Sequence, residues 1–327
     1  MNAFNVLYGN EKLKKQISDS INSNKFVHTC IIEGKKGSGK HTLAKIISVL
    51  LAGEAEDKII KNICPDIITV GLLKDRKTIG VETIRNIKES VYIVPNELDI
   101  KVYIIEDAHL MTHAAQNAFL KLLEDPPKTV YFLLLCENES LLLSTVKSRA
   151  VIYHMQNFSD EEITEYLIEK NKRAFDLYDN DRLTFDLIIK NSGGAIGNTE
   201  ELLSSRKYSK LKEDYETIVQ LLNFINTKNT VEILLYHYKI SDKRDEIINF
   251  VDNLLCALHD ILVYKKNIRS QYMFFANIDD LAPIAEKIST EEINRIYNIL
   301  IICKEEATIN LNINNMKIFL FSRLLKE

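Results

Sequence analysis

Short apolar runs and amphipathic stretches alternate along the first half of the chain. The runs at 29–32, 66–70, 102–105, 130–135 and 150–153 predict buried strands. Between them lie stretches with helical spacing: Leu13, Ile17 and Ile21 on one face, then 40–51, 81–91 and 112–123. Strands separated by helices predict a parallel sheet, with the ligand site at the carboxyl ends of its strands. Past residue 155 the pattern changes. Ser159, with Glu162 three residues on, forms a capping box that opens a helix, and a small helical unit closes at Ser192-Gly193-Gly194-Ala195-Ile196-Gly197. Long amphipathic stretches follow at 211–226, 231–238, 245–263, 291–306 and 315–325. Four of the five prolines and seven of the ten glycines precede residue 130, so turns concentrate in the first half and helix dominates the last third. The predicted organisation is an α/β core over 1–155, a helical lid over 156–206 and an all-α bundle over 207–327.

Composition narrows this picture without changing it. The 327 residues are 46% apolar and 27% charged, which suits a globular chain of two or three domains. A net charge of −4 argues against a strongly basic nucleic-acid binder acting alone. The cysteines (Cys30, Cys64, Cys136, Cys256 and Cys303) are scattered with no C-x-x-C pair, so a reduced, cytoplasmic setting is expected. Met1-Asn2-Ala3-Phe4-Asn5 lacks the basic and apolar regions of a signal peptide, and no membrane span is expected.

The chemistry starts at Gly34-Lys35-Lys36-Gly37-Ser38-Gly39-Lys40, a complete phosphate-binding loop. Gly34, Gly37, Ser38 and Gly39 let backbone amides turn inward to cradle phosphate, and Lys40 reaches the β/γ oxygens. His41 stands where a Ser or Thr should hold magnesium. The hydroxyl comes one place later, at Thr42, a rotation of roughly 100 degrees on a helix, so Thr42 is expected to point elsewhere. The apolar strand Val102-Tyr103-Ile104-Ile105 ends in Glu106-Asp107. In nucleotide hydrolysis such a strand carries Asp for the metal shell and then Glu for the attacking water, the reverse of this order. Each acid is therefore one methylene away from the reach its place requires, where catalytic positions tolerate about 1 Å. His109 and His113 are four apart but lack the H-E-x-x-H pattern, and no metal site is expected.

Ala115-Gln116-Asn117-Ala118-Phe119-Leu120-Lys121-Leu122-Leu123-Glu124-Asp125-Pro126-Pro127 follows these two motifs and resembles the A-x-N-A-L-L-K-x-L-E-E-P-P segment of clamp-loader AAA+ subunits. The likeness extends to Phe26-Val27-His28, to Lys101-Val102-Tyr103-Ile104-Ile105 and to Ser148-Arg149-Ala150, which is similar to the family's Ser-Arg-Cys motif. Together these span residues 5–155 in the family's order. The resemblance implies a P-loop AAA+ domain, a lid and a helical collar. It also implies that Arg149 is an arginine finger, reaching the γ-phosphate of ATP on a neighbouring subunit.

Four departures from the family pattern all weaken nucleotide handling. They are His41, the reversed Glu106-Asp107 pair, Cys136 or Glu137 at the polar sensor position, and Gly197 where the lid's sensor arginine belongs. The family's four-cysteine zinc module is reduced to Cys64, so no zinc is expected. A degraded site with an intact finger resembles the delta-prime branch of bacterial DNA polymerase III clamp loaders. On this reading the chain's own ATPase is weak or absent and no cofactor is required, although the loop keeps the means to hold ATP, ADP or an anion. The implied partners are gamma/tau and delta subunits in a pentameric loader and, through them, the sliding clamp and primed DNA. The rival reading is a gamma/tau-like subunit that hydrolyses ATP itself.

Overall fold

The computed structural model describes residues 3–73, 76–204, 207–240, 243–268, 272–308 and 313–325, so the expected boundary at residue 206 lies outside the described residues. The chain divides into two compact units, one of residues 1–163 with 192–200, the other of 164–191 with 201–327.

The first unit is built on five parallel strands: β1 (Thr29–Glu33), β2 (Ile67–Val70), β3 (Lys101–Ile105), β4 (Val130–Cys136) and β5 (Val151–His154). Their order is β2-β3-β4-β1-β5. The helices between them are α1 (Glu11–Asn22), α2 (Lys40–Ala52), α3 (Glu56–Ile60), α4 (Val81–Ser90), α5 (His113–Glu124) and α6 (Ser144–Lys147). Strand alternation divides the apolar residues between two faces. Ile32, Val102, Ile104, Leu133 and Leu135 pack with Ile17, Leu43 and Ile47, whereas Ile31, Tyr103, Ile105, Phe132 and Leu134 pack with Ile84, Ile87 and Phe119. Each strand and helix predicted from the apolar pattern of residues 11–154 is present, with ends displaced by a residue or two.

Two buried charges fix the loop ahead of β3. Asp66 is fully buried and accepts backbone N–H groups from Asn96 (2.7 Å), Glu97 (2.7 Å) and Leu98 (3.0 Å). The Lys101 ammonium donates to the carbonyls of Ser90 (3.1 Å) and Ile93 (2.8 Å). The unit then enters α7 (Asp160–Lys170) through the expected capping box. The Ser159 N–H donates to Glu162 at 2.8 Å, and the Glu162 N–H donates to Ser159 Oγ at 3.2 Å.

The helices of residues 172–204 are α8 (Lys172–Asn180), α9 (Arg182–Asn191) and α10 (Ile196–Ser204), and α7 and α10 each begin in the first unit. The rest of the second unit comprises α11 (Lys207–Asn226), α12 (Thr230–Lys239), α13 (Arg244–Lys265), α14 (Ile278–Lys287), α15 (Thr290–Thr308) and α16 (Ile313–Leu324). One apolar core runs through it, including Ile218, Leu222, Leu254, Leu258, Leu281, Ile296 and Leu320. The apolar pattern did not single out α14, which carries Pro283 in its interior. The proline lacks the N–H that would bond the Asp279 carbonyl, and burial of Leu281, Ile284 and Ala285 offsets the loss. α13 is long and apolar enough to cross a membrane by length and composition, contrary to expectation. Nine of its residues are buried, among them Ile247, Val251, Leu254, Leu258 and Ile261, as in the core helix of a bundle.

Asp66 links stability of the first unit to pH. Burial alone would raise its pKa, but the three N–H donors and Lys101 together hold it below the ordinary value. The unfolded carboxyl takes up a proton near pH 4, so the stabilisation is complete at neutral pH and is lost as pH falls through the folded value. Asp66→Asn is expected to lower unfolding stability by about 2–4 kcal/mol at pH 7, with a smaller deficit at pH 3. Urea titrations at the two pH values check this, and equal deficits would contradict it.

Candidate functional site: a phosphate loop joined to the lid

β1 ends at Glu33 and the chain turns through the glycine loop into α2, whose N-cap is Gly39 in the left-handed region at φ 90°. The loop thus lies at the carboxyl edge of the sheet, with the N-terminus of α2 facing the space above it. A cavity of about 390 Å³ opens there, within the range of small-molecule sites, roughly 300–1,000 Å³. Its lining brings together Gly37, Ser38, Gly39, Lys40, His41, Thr42, Glu106, Asp107, Glu137 and Gly197. Gly34 lies just below, its N–H bonded to the Cys136 carbonyl at 3.0 Å. Thr42, expected to point elsewhere, lines the same cavity as His41.

The lysine of the loop is turned onto the loop itself. Lys40 Nζ donates to the carbonyl of Gly34 and to that of Lys35 at 2.9 Å. Burial lowers its pKa, against the pull of Glu137, Cys136 and Asp107. Ser38 is buried, and among the described residues its Oγ has no hydrogen-bond partner. His41 Nε2 stands 3.2 Å from Glu106 Oε1 without the direction of a hydrogen bond. Burial lowers the His41 pKa, Glu106 opposes this and Lys45 adds to it, so the imidazole is neutral at pH 7. Asp107 follows with left-handed backbone, φ 48°, as the chain leaves β3. The loop amides and Lys40 fit a phosphate. The metal side fits poorly, because magnesium takes oxygen ligands in a near-octahedral shell and the nearest donor set begins with an imidazole.

The residues after the lid turn close on this loop. The Gly197 N–H donates to the Gly37 carbonyl at 2.9 Å, and Lys35 Nζ donates to the Gly193 carbonyl at 2.7 Å. A Cβ on Gly197 would stand 2.7 Å from the Gly37 oxygen, and one on Gly37 would stand 2.6 Å from the Asn198 nitrogen. Neither position accepts a side chain without movement of backbone. Gly197, standing where a sensor arginine of the lid was expected, permits this contact. Glycine in place of the expected arginine was the only sign of the contact in the sequence.

Elsewhere on the same edge, Glu33 joins three strand ends. Its Oε1 accepts the Glu139 N–H at 3.0 Å and its Oε2 lies 2.6 Å from His154 Nδ1. Ligand atoms of Glu33, Glu139 and His154 lie within 4.8 Å of one another, a grouping that those two hydrogen bonds explain. Cys136 is buried with its thiol pKa pushed up to about 12 by burial, while Glu137 lines the cavity. His109 and His113 do not share a helix: the first sits on a 3-10 turn (Ala108–Leu110), and the second opens α5. Cys64 is buried and all five cysteines are free thiols.

Arg149 is placed differently from everything else. It follows α6 and precedes β5, at the amino edge of the sheet, whereas the phosphate loop leaves the carboxyl edge. The four residues of β5 alone separate the two levels by roughly 13 Å. Its guanidinium donates to Glu124 Oε1 at 2.6 Å and to the Thr145 carbonyl at 2.9 Å.

A parallel sheet in this order, with a glycine loop after β1 and an acid pair after β3, defines a P-loop α/β protein. A family model described as "DNA polymerase III, delta subunit" matches residues 9–159. The chain is 26% identical to "DNA polymerase III subunit gamma" of Buchnera aphidicola subsp. Schizaphis graminum, over 93% of the chain and 90% of that protein. It is 25% identical to "DNA polymerase III subunit delta'" of Buchnera aphidicola subsp. Baizongia pistaciae, over 64% of the chain and 68% of that protein. A gamma subunit-related protein of Thermotoga maritima shares the fold, with a TM-score of 0.50 and 17% identity over 96% of this chain and 99% of that one. The chain is thus similar to DNA polymerase III subunits, through the family model over residues 9–159 and through the gamma relative over most of its length.

The Gly37–Gly197 contact predicts an inverted response to substitution. Helix propensity alone would make Gly197→Ala stabilising by about 0.5–1 kcal/mol. The backbone clash instead predicts a loss of about 1–3 kcal/mol in urea unfolding. A stability gain would show that the two segments are not in contact.

Proposed function

We propose that this chain is a delta-prime-like clamp-loader subunit that hydrolyses little or no ATP and supplies Arg149 to an adjacent motor subunit. The carrying observation is the position of Arg149 at the opposite edge of the sheet from the chain's own phosphate loop. A guanidinium there cannot serve its own cavity, so any phosphate it stabilises belongs to another molecule. The chain's own cavity supports the same reading from the other side. His41 is neutral, the acid pair is reversed and Gly197 bonds the loop where a sensor arginine would act. On this reading the loop needs no nucleotide or zinc, and any ATP, ADP or anion it holds is retained without turnover.

The expected partners are gamma/tau and delta subunits and, through the assembled loader, the sliding clamp and primed DNA in the cytoplasm. Assembly through the helical region is supported by α12, which exposes Val231, Leu234, Leu235 and Tyr238 at helical spacing on one face. A gamma-like ATPase is the second reading. The identity to the Buchnera gamma protein over nearly the whole chain favours it, as does the retained Lys40.

Arg149→Ala in the reconstituted loader, with the remaining motor sites inactivated, tests the proposal. Hydrolysis at the adjacent site is expected to fall by about 10³-fold or more, with assembly unchanged by gel filtration. An unchanged rate would contradict the finger assignment.

A further inference from the structure

Arginine side chains are long and rotate freely, so a finger on an exposed turn must be held if it is to meet a phosphate in one geometry. Arg149 is held from two sides. Nη1 donates to the Thr145 carbonyl at 2.9 Å and to Ser148 Oγ at 3.3 Å, both on its own turn. Nη2 donates to Glu124 Oε1 at 2.6 Å, across to a different helix. Glu124 is the last residue of α5 and is followed by Asp125, Pro126 and Pro127, which stop the helix and fix where that carboxylate stands. These contacts occupy the Nη groups on the sides facing α6 and α5. Among the described residues Nε makes no hydrogen bond, and Nη2 keeps a second hydrogen, the pair of donors that a phosphoryl oxygen can bridge.

We propose that Glu124 is a positioning residue for Arg149, orienting the guanidinium before the neighbouring phosphate arrives. This rests on the finger reading of Arg149 given above. Both side chains are partly exposed, so the pair adds little to folding stability, and its value lies in orientation. It gives the Glu of the Leu123-Glu124-Asp125-Pro126-Pro127 segment a role that amphipathic helix packing does not require.

The test is a double-mutant cycle in the reconstituted loader, reading kcat and KM for ATP at the adjacent site. Glu124→Ala is expected to lower kcat about tenfold with KM unchanged. Glu124→Gln, which keeps an acceptor, should recover most of that loss, and Glu124→Ala should add nothing in an Arg149→Ala background. If Arg149→Ala slows hydrolysis while Glu124→Ala does not, or if Glu124→Ala raises kcat, this inference fails and the finger reading stands. Additive losses assign Glu124 a general structural role and also overturn it. If Arg149→Ala itself leaves the rate unchanged, the finger reading fails and takes this inference with it.

Discussion

Every functional feature of the first unit depends on the polarity of the parallel sheet. Because β1 lies between β4 and β5 and all strands run the same way, each sequence motif is assigned to one of two edges. The glycine loop after β1 and the acids after β3 arrive together at the carboxyl edge. The end of α5 and the turn before β5 arrive together at the amino edge, which brings Glu124 to Arg149. Two chemistries that lie side by side in the list of motifs are thereby separated in space. Arg149 therefore stands at the opposite edge from the chain's own loop.

The carboxyl edge is tied together by contacts within the protein. Here Lys40 bonds loop carbonyls, Lys35 bonds Gly193, and Gly37 meets Gly197 backbone to backbone. These contacts sit within one compact unit.

Much of this was legible in the sequence, for definable reasons. The strands were visible because they read as continuous apolar runs, and β1, β3 and β4 are buried on both faces; Ser159 with Glu162 marked a helix start through a local hydrogen-bond pair. His41, Glu106 and Gly197 were visible as departures because the surrounding motifs fix their register. What was hidden depends on distance across the fold. Asp66 and Asp260 each take three backbone N–H groups from segments far along the chain, and no local pattern announces that. The Glu124–Arg149 bridge spans 25 residues, and a helical wheel did not place Thr42 on the cavity that it lines. The apolar pattern did not single out α14, which holds Pro283 in its interior because burial of its neighbours outweighs one missing hydrogen bond.

On the proposed function, nucleotide chemistry has left this chain's own loop. The most direct measurement is magnesium-dependent ATP turnover by the isolated chain beside its Lys40→Ala variant. The account predicts no turnover above that of the variant. Steady hydrolysis abolished by Lys40→Ala would contradict it and restore the loop as a working ATPase site.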